Sequence, residues 1–273
     1  MTRLTRVLAA IAVLPGGAIL AQTATPAPPP ISDNSFLIEE AYNQERGVVQ
    51  HISSFDRDRG SGDWSYSFTQ EWPLGGQRNQ LSYTVPVQGS GGTARLGDVA
   101  LNYRYQLVGM ESSVSLAPRL TVIAPTGSAK AGVGSGGVGL QLNIPLSVDV
   151  APWLVTHWNA GATVTPSGRN AAGDHAMTTG VNLGASAIWR PLLAINVLVE
   201  AIWLQSRTVI GPGLTARARE AVISPGVRWA HNVRGGLQIV PGIAFPLGVG
   251  PSRGQNAVFL YLSFEHPFRR VVS

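Results

Sequence analysis

"VGLQLNIPLSVDV", residues 138–150, carries an apolar side chain at every second position: Val138, Leu140, Leu142, Ile144, Leu146, Val148 and Val150. Gly139, Gln141, Asn143, Pro145, Ser147 and Asp149 stand between them. A two-residue period belongs to an extended strand with one apolar and one polar face. In a soluble sheet the apolar face covers a packed core. In a membrane barrel that face meets lipid and the polar face lines a lumen. The rest of the chain decides between the two.

The period persists from Val48 almost to the C-terminus. It marks twelve candidate strands, at 48–56, 63–73, 77–86, 96–108, 112–124, 136–149, 152–165, 176–190, 192–205, 217–230, 235–246 and 256–268. Strands of soluble sheets centre on about five or six residues, whereas bilayer-crossing strands need about nine to eleven. These strands have the second length. Short turns at Leu74-Gly75-Gly76, Val108-Gly109-Met110-Glu111, Val150-Ala151-Pro152, Arg190-Pro191 and His231-Asn232-Val233-Arg234 alternate with longer Gly-rich loops at 57–62, 87–95, 125–135, 166–175, 206–216 and 247–255. An even strand number then puts every short turn at one end and every long loop at the other, as in outer-membrane barrels. "PLLAINVLVEAIWL", residues 191–204, has the hydropathy of a membrane helix but is too short for one and contains Asn196 and Glu200. Read in twos, it is a barrel strand with both polar residues on one face.

All seven Trp fall in candidate strands. Trp72, Trp153, Trp189 and Trp229 stand beside short turns, Trp64 and Trp203 near long loops, and Trp158 in mid-strand. The first six are the expected membrane-interface aromatic residues of two girdles. In the last strand, "VFLYLSFEHPF", the outward residues Leu260, Leu262, Phe264 and Phe268 resemble the terminal signal read by the barrel-assembly machinery, and "RRVVS" (269–273) follows as a tail. Pro118, Pro145, Pro225 and Pro241 fall inside candidate strands, where each removes a ladder donor, so bulges are expected there.

The N-terminus reads as an export signal. Arg3 and Arg6 precede an apolar run from Val7 to Ala21 that Pro15-Gly16-Gly17 breaks, which is the pattern of a signal peptide spanning 1–21. Residues 22–47 then hold the Pro-rich spacer "TATPAPPP" and a periplasmic segment, "SFLIEEAYNQERG", expected to form a short helix ending at Gly47. The barrel is expected over 48–268 and the tail over 269–273. The formal charge of +5 falls to about +3 without Arg3 and Arg6. The Arg residues are scattered rather than striped with aromatics, which argues against nucleic acid as a partner. Cysteine is absent, which excludes disulfides, thiolate metal sites, a Cys nucleophile and a lipoprotein anchor.

"SFLIEEAYNQERGVVQHI", "DWSYSFTQEWPL", "NQLSYTVPV", "LGDVALNYRYQL", "LTVIAPTGS" and "GVGSGGVGLQLNIPLS" together resemble the family of outer-membrane transporters labelled MetA-pathway of phenol degradation, over most of the chain from about Phe36. The resemblance implies a transmembrane β-barrel with a transport role and names no solute.

If the apolar faces meet lipid, parity turns Glu71, Asp98, Arg104, Arg119, His157, Glu200, Glu220, Arg228 and Glu265 into the lumen. Asn102, Gln106, Gln141, Asn143, Asn182, Asn196 and Gln238 join them. A barrel of about twelve strands is wider than the side-chain-filled eight-stranded kind and narrower than a general porin. Arg104 and Arg119, on neighbouring strands, are candidates to line a path for anions or aromatic acids. The alternative is that they pair with luminal acids and brace the barrel. A barrel hydrolase is a second class. His157 and Asn159 share a face, and Asp174 and His175 lie in a loop, but spacing puts no Ser beside either and no nucleophile motif is present. A structural barrel and a soluble secreted β-protein complete the alternatives. No metal or cofactor is expected, since no ligand spacing or phosphate loop occurs. The reading is therefore an antiparallel all-β barrel of about twelve strands in the outer membrane of a Gram-negative cell. It touches lipid and passes small, aromatic or hydrophobic, solutes passively, and it is not an enzyme.

Overall fold

The computed structural model describes Ile31, residues 35–109 and residues 111–268. The expected signal peptide, the Pro-rich spacer, the tail and Met110 lie outside these residues. Sixteen strands follow in order: β1 (Val48–Asp58), β2 (Trp64–Pro73), β3 (Asn79–Ser90), β4 (Thr93–Leu96), β5 (Val99–Tyr105), β6 (Val114–Leu116), β7 (Arg119–Ala124), β8 (Gly139–Ala151), β9 (Leu154–Arg169), β10 (His175–Leu192), β11 (Ile195–Gly211), β12 (Leu214–Trp229), β13 (His231–Val233), β14 (Leu237–Ala244), β15 (Leu247–Gly248) and β16 (Ala257–Pro267). Helix is confined, among the described residues, to two three-residue 3-10 turns.

The pairs β4–β5, β6–β7, β12–β13 and β14–β15 each make one stave, so the sixteen strands form twelve staves, as the period predicts. Every pairing is antiparallel, and β1 pairs with β16 from Val48↔Pro267 to Asp58↔Ala257, which closes the ring. Closure removes the free edges that an open sheet must protect.

Burial is inverted relative to a soluble protein. Along β8 the apolar residues Leu140, Leu142 and Ile144 are exposed, while Asn143 and Ser147 are buried. Elsewhere Leu101, Leu120, Leu183, Val199, Ile223 and Leu260 are likewise exposed, and Gln50, Ser186, Glu200, Ser224 and Arg228 are almost fully buried. A polar lumen inside an apolar coat has this pattern.

The prolines explain themselves by position. Pro145 lies between the stretch of β8 that pairs with β7 and the stretch that pairs with β6, and Pro118 separates β6 from β7. Pro86 lies between the parts of β3 paired with β5 and β4. Pro225 falls between the pairings of β12 with β14 and β15, and Pro241 between those of β14 with β13 and β12. Each missing donor coincides with an interruption in the neighbouring ladder, so no regular bond is lost.

Three expectations are corrected. The segment before β1 is irregular rather than helical from Ser35 to Gln44. Its amides bond to luminal side chains instead of to carbonyls four residues back. The long loop expected at 206–216 is a tight turn at Pro212-Gly213, with Gly213 at φ 67°, because β11 and β12 run on past the length a bilayer requires. Trp203 consequently lies at the centre of β11, beside Leu183 and Ala221, and not near a loop.

Candidate functional site

The lumen is crossed by the chain's own N-terminal segment, Ser35–Gln44. Buried irregular backbone must find partners for its N–H and C=O groups, and here the inward side chains of the wall supply them. Glu200 Oε1 accepts from the amides of Leu37 and Ile38 at 2.8 and 3.0 Å. Asn159 accepts from the Glu39 amide at 2.9 Å and donates to the Glu39 carbonyl at 2.7 Å. Ser147, Gln106 and Gln80 accept from the amides of Ala41, Asn43 and Gln44. Gln106 donates to the Ala41 carbonyl, and Arg104 to those of Glu40 and Tyr42. Ser35 hydrogen-bonds Ser186 at 2.9 Å.

Apolar contacts complete the seat. The Phe36 ring packs against Phe259 and Tyr261, with centroids 5.6 and 5.2 Å away, inside a cluster that includes Ile52, Leu198 and Val240. The Tyr42 ring stands edge-on to His157 at 5.8 Å. Burial, with the Glu40 carboxylate second, pushes the Tyr42 hydroxyl above its usual range.

One acid of this segment, Glu39, meets two bases. Arg104 and Arg119 are direct ladder partners on β5 and β7. Glu39 Oε1 lies 3.2 Å from Arg104 Nη1, and Glu39 Oε2 lies 3.2 Å from Arg119 Nη1. Asn143 Nδ2 donates to Glu39 Oε2 at 2.8 Å. Arg104 also bonds Asn43 Oδ1 at 2.7 Å and stands 3.8 Å from Glu71. Arg119 Nη2 donates to Gln141 at 2.9 Å. Beside Glu39 opens a cavity of about 490 Å³, reached by Arg119, Asn182, Gln205 and Glu220 and by the apolar Ile38, Ile202 and Leu204.

The other residues read as luminal fall out as follows. Glu71 is buried and accepts from Gln80 at 2.7 Å. Arg228 is buried and donates to Asn196 at 3.0 Å. Glu265 is half-buried, in register with Gln50 and Gln238. Asp98 sits just before β5 and staples the 125–138 loop, with Oδ1 accepting from the Gly127 amide and Oδ2 from the Ser135 amide and hydroxyl. A carboxylate at the strand end can satisfy the donors of a Gly-rich loop that has no ladder.

Sequence reasoning missed the Ser beside His157. Ser147 is its ladder partner, and Oγ lies 2.7 Å from Nδ1. Both residues are buried, and Oγ already accepts from the Ala41 amide at 2.8 Å. Such an oxygen faces no open space and serves as a bracket, not as a nucleophile. Among the described residues no group of three His, Asp or Glu is placed to hold a metal ion.

Solved structures share the architecture. The COG4313 outer membrane channel from Pseudomonas putida F1 superposes with a TM-score of 0.59 at 13% identity, over 83% of this chain and 97% of that one. The NanC porin gives 0.55 at 9% identity, over 78% and 98%. The KdgM porin gives 0.50 at 8%, over 79% and 98%. The chain thus has the fold of outer-membrane porins and channels. No protein-family model matches it, and no curated protein matches it.

Proposed function

We propose that this chain is an outer-membrane channel of a Gram-negative cell that passes small, aromatic or hydrophobic, solutes down their gradient. The observation that carries the reading is the closed ring with an exposed apolar outside and a buried polar inside. The resemblance to the MetA-pathway of phenol degradation family supports the same role and a place in that family. Residues 1–21 serve as the signal peptide. Leu260, Leu262, Phe264 and Phe268 serve as the terminal signal for the barrel-assembly machinery, and Trp64, Trp72, Trp153, Trp189 and Trp229 anchor the rims at the headgroups. The Ser35–Gln44 segment acts as a seated gate.

Single-channel recording of the purified mature chain in planar bilayers tests this. Discrete conductance steps from a heat-modifiable barrel are expected. A barrel that inserts and never conducts would overturn it. The crossing of the lumen by the segment favours, as a second reading, a sealed structural barrel, and that outcome would establish it.

A further inference from the structure

Glu39 occupies the place that the sequence assigns to a solute. Three donors converge on its carboxylate from three adjacent strands: Arg104, Arg119 and Asn143. Arg104 is 2% exposed and Asn143 4%. Arg119 Nε is buried and has no hydrogen-bond partner, so the guanidinium keeps a donor to spare. Without Glu39, Arg104 would retain Glu71 nearby, at 3.8 Å, but Arg119 would lose the one acid within ion-pair distance among the described residues. Two guanidinium groups facing each other in a confined lumen then attract an anion, and the planar fork of arginine suits a carboxylate. The adjoining cavity of about 490 Å³ has the size of a small-ligand site, and Ile38, Ile202 and Leu204 give it an apolar wall.

We infer that Arg119, Arg104 and Asn143 form a carboxylate-binding site, that Glu39 is its tethered occupant, and that a small monocarboxylic acid with an apolar body exchanges with Glu39. The inference rests on the channel reading for its purpose. The exchange needs only rotation of the Glu39 side chain, because its backbone N–H and C=O are both held by Asn159. The incoming carboxylate pairs with Arg119 and Asn143 while its apolar body lies against the cavity wall.

Calorimetric titration of the full mature chain with benzoate, and with uncharged benzamide as shape control, tests the site. A tethered competitor acts at roughly millimolar effective concentration, so Glu39→Gln should bind benzoate about tenfold more tightly than the parent. Adding Arg119→Gln to that variant should abolish the gain, and benzamide should not distinguish the proteins. Benzoate affinities within about twofold in the parent and Glu39→Gln, or a gain that survives Arg119→Gln, would overturn the inference. Should Glu39→Gln fail to fold, Arg119→Gln alone decides, because parental benzoate binding that persists in it has the same force. Calorimetry needs no conduction. Benzoate binding by a barrel that never conducts would sink the channel reading alone, and conduction without Arg119-dependent binding would sink the site alone.

Discussion

Gly242 abuts the ring edge of Phe36: a Cβ on that glycine would come within 2.5 Å of the ring's Cζ. Gly226 flanks the same ring, and a Cβ on Gly184 would collide with Ile38 Cδ1. The wall is hollowed where the segment's apolar side chains enter it. Gly242→Val should expel Phe36 and leave the staves intact. Losing the burial of a Phe side chain costs about 2–3 kcal/mol, a shift of roughly thirty- to hundredfold toward an unseated segment. Faster protease cleavage between residues 35 and 44 of a barrel that still migrates as folded, with larger conductance, is the expected result. Unchanged cleavage would mean the ring is not what seats the segment.

Glu200 holds two consecutive amides with one oxygen. Glu200→Ala leaves both without partners, at about 1–3 kcal/mol each, whereas Glu200→Gln keeps an acceptor in place. Hydrogen exchange at Leu37 and Ile38 should therefore accelerate by about tenfold or more in the alanine variant. The glutamine variant should stay closer to the parent. Equal protection in all three proteins would rule out this anchor.

Ser147 and His157 are in hydrogen-bond contact and have no open face. A fluorophosphonate probe should leave Ser147 unlabelled on the folded barrel. Labelling that disappears in Ser147→Ala would return the chain to the enzyme class. That same variant should loosen the segment at Ala41 by about 1–3 kcal/mol, since it strands a buried amide.

Lipid contact can be read from tryptophan. Trp153, Trp189 and Trp229 are exposed at or beside the short-turn ends of their strands, while Trp203 is central in β11 and Trp158 lies four residues into β9. Lipids brominated near the headgroup should quench single-Trp variants that retain one of the first three most strongly. Lipids brominated deep in the chain should favour Trp158 and Trp203. Equal quenching by both lipids would contradict the membrane placement.

The wall is written in a local period, and so Leu140, Leu142 and Ile144 suffice to assign faces without any distant partner. Arg104 and Arg119 were legible as luminal neighbours for the same reason. The acid between them was not, since Glu39 reaches Arg104 across 65 residues of chain. Its segment has no strand period because single side chains, not a ladder, satisfy its backbone. "SFLIEEAYNQERG" then passed for a short helix. The polar outward Arg207 disguised the far end of β11 as a loop, although it is the ladder partner of Arg217. Ser147 and His157 could be brought together only by knowing the register of β8 against β9.

The prolines that spare the ladders also set how the wall deforms. Between the interruption at Pro118 and Pro145 and the one at Pro225 and Pro241, staves β8 to β12 form an arc joined by long ladders. An arc of that kind is a stiff shell, and the two broken lines beside it are flexures. Lateral pressure on the barrel would then squeeze the lumen into an ellipse by bending along those lines. Asn159, Ser186 and Glu200 all project from the rigid arc, so the start of the N-terminal segment would travel with it as cargo on a solid plate.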